Sequence, residues 1–187
     1  MDKLVIDIET KNTFAEVGGQ ENLKDLDMSF VGVYSYAQDA YLSFFENQMA
    51  DLEKLLKTAG LLIGFSINRF DIPVLNKYFP FELTKIPRFD LLEELELNYG
   101  KRVSLDILAK ANLNIGKTHH GLEAIKFYRE GDLESLKKYC LNDVKITKDL
   151  YELAKKQGHL LVPEKYTDKI IKVPFKIQEI FLPATLL

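Results

Sequence analysis

An α/β domain built on one mixed sheet, with helices flanking it, is the fold class this sequence predicts. Three observations predict it. Strand-like runs occur at Leu4–Thr10, Phe30–Tyr36 and Tyr41–Phe45, the last two joined by a short Ala37–Ala40 link that suits a hairpin. A helical segment, Asp51–Leu56, then leads to the wholly apolar run Leu61–Phe65, the pattern of a strand buried on both faces and reached by a crossover. Beyond it the chain is mostly helical. The resulting β-β-β-α-β order sets an antiparallel meander beside parallel strands in a single sheet.

The first strand alternates, so Leu4, Ile6 and Ile8 share one face and Val5, Asp7 and Glu9 the other. Lys11–Asp27 is long for a loop, with Gly18-Gly19 at its middle. Phe14 and Val17 are expected to tuck under the domain, contact with a substrate being the alternative. Gly60 stops the Asp51–Leu56 helix. Asp71–Tyr78 reads as a short helix with Pro73 in its first turn, and Leu91–Leu97, Leu105–Ala111 and Leu122–Arg129 as further helices. The final helix is capped by Asp132 and ended by Gly158, with Leu133, Leu136, Cys140, Val144, Leu150 and Leu153 at helical spacing. Unbroken, it would span about 37 Å; a break midway is the alternative. Residues 1–158 are thus expected to form the domain. Residues 159–187, a C-terminal extension with three prolines, read as a strand pair or an extended arm packed on the domain or on a partner.

Composition bounds the answer without naming a function. Apolar residues at 47% and charged residues at 28% describe an ordinary globular protein. No apolar run approaches the roughly 18 residues of a membrane span and no signal peptide precedes the first strand, so a cytoplasmic protein without membrane contact is expected. Cys140 is the only cysteine, which excludes an internal disulfide and a cysteine-rich zinc site. A net charge of −3 lacks the basic excess of many nucleic-acid binders, although 25 basic against 28 acidic residues leaves room for local patches.

The chemistry lies in the placement of carboxylates. Asp7 and Glu9 project the same way about 6–7 Å apart on a strand, and a buried carboxylate is costly unless something pairs or coordinates it. Asp71 follows just after the buried parallel strand. Asp143 lies on the last helix, four residues beyond Tyr139 and so on the same face.

Asp-Ile-Glu-Thr at 7–10, Asn-Arg-Phe-Asp at 68–71 and Tyr-Cys-Leu-Asn-Asp at 139–143 resemble the three motifs of the DEDD superfamily of ribonuclease H-like 3′–5′ exonucleases. A tyrosine four before the last aspartate, with Lys138 where the other branch carries histidine, resembles the DEDDy branch. The stretch from Ser104-Leu105-Asp106 to Thr147 is similar to the stand-alone YprB-like group. The resemblance covers roughly residues 3–157 and implies a five-stranded ribonuclease H-like sheet. It departs at the second motif: the family's asparagine stands a few residues before Phe-Asp, whereas here Asn68 stands only two before Phe70 and Ser66 holds a place where some relatives carry the asparagine, which leaves open which of them, if either, touches substrate.

The resemblance implies a metal-dependent phosphodiesterase that releases nucleoside 5′-monophosphates from the 3′ end of DNA or RNA. Asp7, Glu9, Asp71 and Asp143 would hold two Mg²⁺ or Mn²⁺ ions, the hard cations that all-oxygen ligands suit. Asp7 would bridge both, Glu9 and Asp143 would serve the first and Asp71 the second. Tyr139 would orient the attacking water, and Thr10, Asn68 and Phe70 would contact substrate. A single-stranded 3′ end is the expected partner, with a helicase or polymerase working beside the enzyme. The rivals are a catalytically silent nucleic-acid-binding or scaffold domain and a structure-specific endonuclease using the same site.

Other features carry less. Gly116-Lys117-Thr118 resembles the end of a P-loop, but that pattern needs a glycine where Ala111 stands, so a loop or helix cap is expected. His119 and His120 are expected to be solvated, contact with a phosphate being the alternative. Cys140 is expected to be a small core residue. Asp90 and Asp106 are expected to cap helices or make structural hydrogen bonds, approach to the site being the alternative. Lys110, Lys117, Lys126, Arg129, Lys137 and Lys138 flank the last motif and either track a nucleic-acid backbone or form solvated helix faces. The apolar end Phe181–Leu187 suits docking on the domain or a partner.

Overall fold

The structure is a computed structural model that describes residues 1–115, 121–167 and 169–179. The Gly116-Lys117-Thr118 stretch, His119, His120 and the apolar end Phe181–Leu187 lie outside the described residues. Strand β1 (Asp2–Thr10) pairs antiparallel with β2 (Met28–Ser35), which pairs antiparallel with β3 (Ala40–Phe45). Helix α1 (Met49–Leu56) crosses over to β4 (Ala59–Gly64), parallel to β1 on its other side. A fifth strand, β5 (Arg88–Asp90), extends the parallel edge, so the order is β3-β2-β1-β4-β5. Three residues are too few to show an alternation, and β5 is not apparent in the sequence.

The helices divide between the two faces. Leu4, Ile6 and Ile8 pack with Leu52 and Leu56 of α1 and with Ile72, Val74 and Leu75 of α2 (Asp71–Leu75). Phe14 and Val17 join this core. Val5, Leu61 and Ile63 face the other way, toward α3 (Leu91–Tyr99), α4 (Leu105–Leu113) and α6 (Leu133–Gln157). Between α4 and α6 lies α5 (Gly121–Glu130). Helix α6 runs its 25 residues without a break, capped by Asp132 and closed by Gly158 in the left-handed conformation. The turn after α2 tightens to 3₁₀ geometry over Asn76–Tyr78. Among the described residues no helix is long and apolar enough to cross a membrane.

Strands β6 (His159–Pro163) and β7 (Ile170–Pro174) form a separate antiparallel pair. The Asn112 amide ties it to α4, donating to the Leu161 carbonyl at 2.8 Å and accepting from the Leu161 N–H at 2.7 Å. Past the pair, Glu179 accepts from Lys3 at 2.8 Å, Tyr151 at 2.7 Å and Lys155 at 2.8 Å. Burial pushes its carboxyl up, but these donors prevail and hold it near 2.

Candidate active site

The C-terminal half of β1 lies where the sheet, α2 and α6 meet. Pairing of β1 with β4 ends at Val5 and Ile63. Beyond it the Ile8 N–H donates to Asp71 Oδ1 at 3.1 Å, which seats the first residue of α2 against β1. A register shift between Glu9 and Thr10 bends the strand end at the same place, a common device for aiming side chains beside a site.

Two glycines let the neighbouring segments approach. Gly32 pairs with Asp7 across β1 and β2. A Cβ there would come within 3.0 Å of both Cys140 Sγ and Val144 Cγ2, so the bare backbone lets α6 settle onto the sheet. Cys140 then donates its thiol hydrogen toward Asp7, with Sγ 3.3 Å from Oδ2 and 3.4 Å from the carbonyl oxygen. Gly64 ends β4; a Cβ there would fall 1.8 Å from Ile67 Cγ2 and 3.0 Å from the Ile6 carbonyl oxygen. The turn that follows holds Ser66 at a positive φ of 67°. Asp90 braces it, accepting from Ser66 N at 2.8 Å and Asn68 N at 3.1 Å while capping α3 through Leu92 N and Glu93 N.

The result is a cluster of acids. Ligand atoms of Asp7, Glu9 and Cys140 lie within 4.8 Å of one another. Asp71 is 3% exposed and Glu9 9%. Burial, then the charges of Asp71 and Asp143, pushes the Asp7 carboxyl far above its ordinary range. Burial, then Asp7, Asp143 and Asp71, does the same to Glu9. Burial lifts Asp71 to about 8 and Asp143 to about 7, the latter helped by Asp106 and opposed by hydrogen bonds from Tyr139 and Asn142. Asp143 Oδ1 is buried with no hydrogen-bond partner among the described residues. Burial also pushes the Tyr139 hydroxyl and the Cys140 thiol up, so both keep their protons at neutral pH.

These shifts set a pH dependence. Each folded-state carboxyl titrates above its unfolded counterpart near pH 4, so between the two the folded chain binds more protons. Stability of the metal-free protein therefore falls as pH rises from the unfolded values through the folded ones, about 7 for Asp143 and about 8 for Asp71. Thermal melts in EDTA are expected to drop by roughly 5 °C or more between pH 5.5 and pH 8, and saturating Mn²⁺ is expected to recover the loss at pH 8. A melting temperature flat across this range, with or without Mn²⁺, would contradict the cluster's electrostatics.

A cavity of about 550 Å³ opens beside Glu9 and Thr10, walled by Phe14, Phe70, Leu122 and Ile125. The Phe14 and Phe70 rings meet edge to face at 5.9 Å. Thr10 donates to the Asn12 carbonyl at 2.9 Å. Arg129 of α5 pairs with Glu16 at 2.8 Å and ties the loop carrying Phe14 to the far wall.

Of the residues singled out from the sequence, Asp7, Glu9, Asp71, Asp143 and Tyr139 come together, with Thr10 and Phe70 at the adjoining cavity. Asn68 does not join them: its amide donates to Glu93 at 2.6 Å and accepts from Arg88 Nε at 2.6 Å, and it lines a different cavity. Asp106 is not the cap of α4, which is Ser104; it stands close enough to raise Asp143 and Tyr139. Sequence reasoning missed the parts played by Gly32 and Gly64. A glycine inside a strand pattern was the available signal, since it marks a close backbone approach.

The RNase H superfamily model matches residues 4–155, which include every residue of the acidic cluster. The chain belongs to the RNase H superfamily. No curated protein matches it by sequence. Among solved structures, this RNase H-like domain is similar to the family B DNA polymerase of Pyrobaculum calidifontis, at 18% identity and a TM-score of 0.65, over 83% of this chain and 24% of that one. It is also similar to E. coli exonuclease I in complex with a dA16 oligonucleotide, at 14% identity and a TM-score of 0.55, over 83% of this chain and 41% of that one. Trypanosoma brucei RNase D matches at 16% identity and a TM-score of 0.53, over 80% of this chain and 56% of that one. Nucleases are thus among its structural neighbours. The domain spans about a quarter to just over half of their length, and at these identities the likeness establishes the shared fold.

Proposed function

We propose that the chain is a metal-dependent 3′–5′ exonuclease of the DEDDy type, acting on a single-stranded 3′ end of DNA or RNA. The observation that carries this reading is the convergence of Asp7, Glu9, Asp71 and Asp143, with one buried Asp143 oxygen lacking a hydrogen-bond partner among the described residues, beside a cavity of nucleotide size. A cluster of acids raised this far is unfavourable on its own and fits hard divalent cations, two Mg²⁺ or Mn²⁺ ions, which Asp7, Glu9, Asp71 and Asp143 would hold. When bound, such ions supply the positive charge that lets the acids ionise and that stabilises charge developing on a phosphodiester.

The chain's own residues do the rest. Phe14 and Phe70 offer ring faces and edges to the terminal base, a contact that tolerates any sequence. Thr10 marks the cavity's polar rim. The Tyr139 hydroxyl, protonated at neutral pH, donates to Asp143 and is placed to orient a water rather than to remove its proton. Cys140 steadies Asp7 from behind. Tyr139→Phe is accordingly expected to lower kcat by roughly 10²-fold while leaving the Mn²⁺ affinity, read by calorimetry, unchanged. Equal losses in kcat and in Mn²⁺ affinity would make Tyr139 part of the scaffold. The resemblance also leaves room for a helicase or polymerase partner that opens or extends the strand.

End-labelled linear and circular single strands test the direction of attack. Shortening of the linear strand from its 3′ end with the circle untouched is the expected result. Nicking of the circle would instead assign an endonuclease.

A further inference from the structure

A second cavity, of about 480 Å³, lies on the other flank of α2, where Pro73 and Asn76 face it. Three of its lining residues are cations, Lys24, Lys77 and Arg88, and none is an acid, in a chain whose acids outnumber its bases by 28 to 25. Each cation is held differently. Lys77 Nζ is fixed by Asp27 at 3.0 Å and by the carbonyls of Lys24 and Leu26 at 3.1 and 2.8 Å. Arg88, half-buried, spends Nε on Asn68 and Nη1 on the carbonyls of Leu83, Thr84 and Ile86. No carboxylate pairs with it among the described residues, and its Nη2 has no acceptor there. Lys24 likewise has no ion-pair partner among them.

The neutral groups match this pattern. Asn76 uses its side-chain oxygen on Leu83 N at 2.8 Å, which leaves its amide hydrogens without an acceptor among the described residues. Asn68, by contrast, is engaged on both sides, its nitrogen by Glu93 and its oxygen by Arg88. The uncommitted capacity around the cavity is therefore donor capacity: a guanidinium nitrogen, an ammonium and an amide. A half-buried guanidinium without a counter-charge, beside further donors, is the arrangement that suits a tetrahedral oxyanion.

We propose that this cavity is a phosphate-binding site, distinct from the carboxylate cluster. Asn76 stands about 8 Å along α2 from Asp71, so the cavity is near enough to take a phosphodiester of the same strand whose end reaches the carboxylates. That source rests on the nuclease reading; the anion site does not, because a free phosphate compound would satisfy the same donors.

The test uses the full chain in EDTA, which prevents metal from recruiting phosphate to the carboxylates. Inorganic phosphate is titrated in, and backbone amide shifts are followed by NMR. Saturable shifts at Lys77, Thr84 and Arg88 are expected. Lys24→Gln, an exposed change that leaves the fold alone, is expected to weaken binding by roughly 3-fold, and Arg88→Gln by roughly 10-fold. Non-saturable shifts, or wild-type affinity in Lys24→Gln and in a folded Arg88→Gln, would overturn the proposal. A second arm titrates oligo-dT under the same conditions. If the strand supplies the phosphate, oligo-dT moves the same amides, and Lys24→Gln shallows the salt dependence of its binding by about 0.7 in log–log slope. If only inorganic phosphate moves them, the site serves a free phosphate compound.

Discussion

Asp7→Asn is expected to abolish metal-dependent hydrolysis, by on the order of 10³-fold or more, and to stabilise the metal-free protein at pH 8. Both effects have one cause. The Asp7 carboxyl is lifted by burial and then by the charges of Asp71 and Asp143. Asn cannot ionise, so it escapes the cost of holding this buried group protonated, or charged beside Asp71 and Asp143, at a pH well above its unfolded value. The Asn oxygen still accepts from Cys140, so the packing of α6 on β2 is retained. The melting temperature in EDTA at pH 8 should therefore rise by several degrees, roughly 2–4 °C per kcal/mol relieved, while the gain on adding Mn²⁺ shrinks. Activity lost together with a lower metal-free melting temperature would mean that Asp7 supports the fold rather than the site.

Gly64→Ala is expected to cost about 3 kcal/mol, or roughly 6–12 °C in melting temperature, with activity lost in the fraction that remains folded. The added Cβ would sit 1.8 Å from Ile67 Cγ2, and Ile67 is fully buried. Retreat the other way is closed by the Ile6 carbonyl oxygen at 3.0 Å, which belongs to the strand carrying Asp7. The turn would have to shift, and with it Asp71, whose bond to Ile8 N at 3.1 Å depends on where that turn ends. A double-mutant cycle with Ile67→Ala isolates the clash: the pair should lose less than the sum of the single changes. Strict additivity would show that Ile67 is not what Gly64 accommodates.

The parts of the fold and site that were legible in the sequence are those written in local periodicity. Alternation along β1 separates Leu4, Ile6 and Ile8 from Asp7 and Glu9, and the structure keeps them on opposite faces. Spacing of four residues aligns Tyr139 with Asp143 on α6. Asp132 and Gly158 mark that helix's ends by capping chemistry, and Asp90 caps α3 for the same reason. What was not legible depends on residues distant in sequence. Nothing near Gly32 announces that Cys140 and Val144 will lie above it. Phe14 belongs both to the core and to the cavity wall, a double role that appears only once Phe70 stands beside it. Asn68 sits two residues before Phe70, yet the left-handed turn at Ser66 and the reach of Arg88 carry its amide into the other cavity. For Asp106, in the first turn of α4, the sequence leaves capping and approach to the site both open, and only the packing of α4 on α6 decides it by setting its charge near Asp143.

The central claim is that the four carboxylates form a metal-dependent exonuclease site. Its most direct test is digestion of 5′-labelled single-stranded DNA and RNA with Mn²⁺, Mg²⁺ or EDTA, beside Asp7→Asn protein whose fold is verified by its melting curve. The account predicts a ladder shortening from the 3′ end with either metal, absent in EDTA and absent with the variant. Undigested DNA and RNA in the presence of Mn²⁺, with a protein whose melting temperature shows that Mn²⁺ is bound, would contradict it.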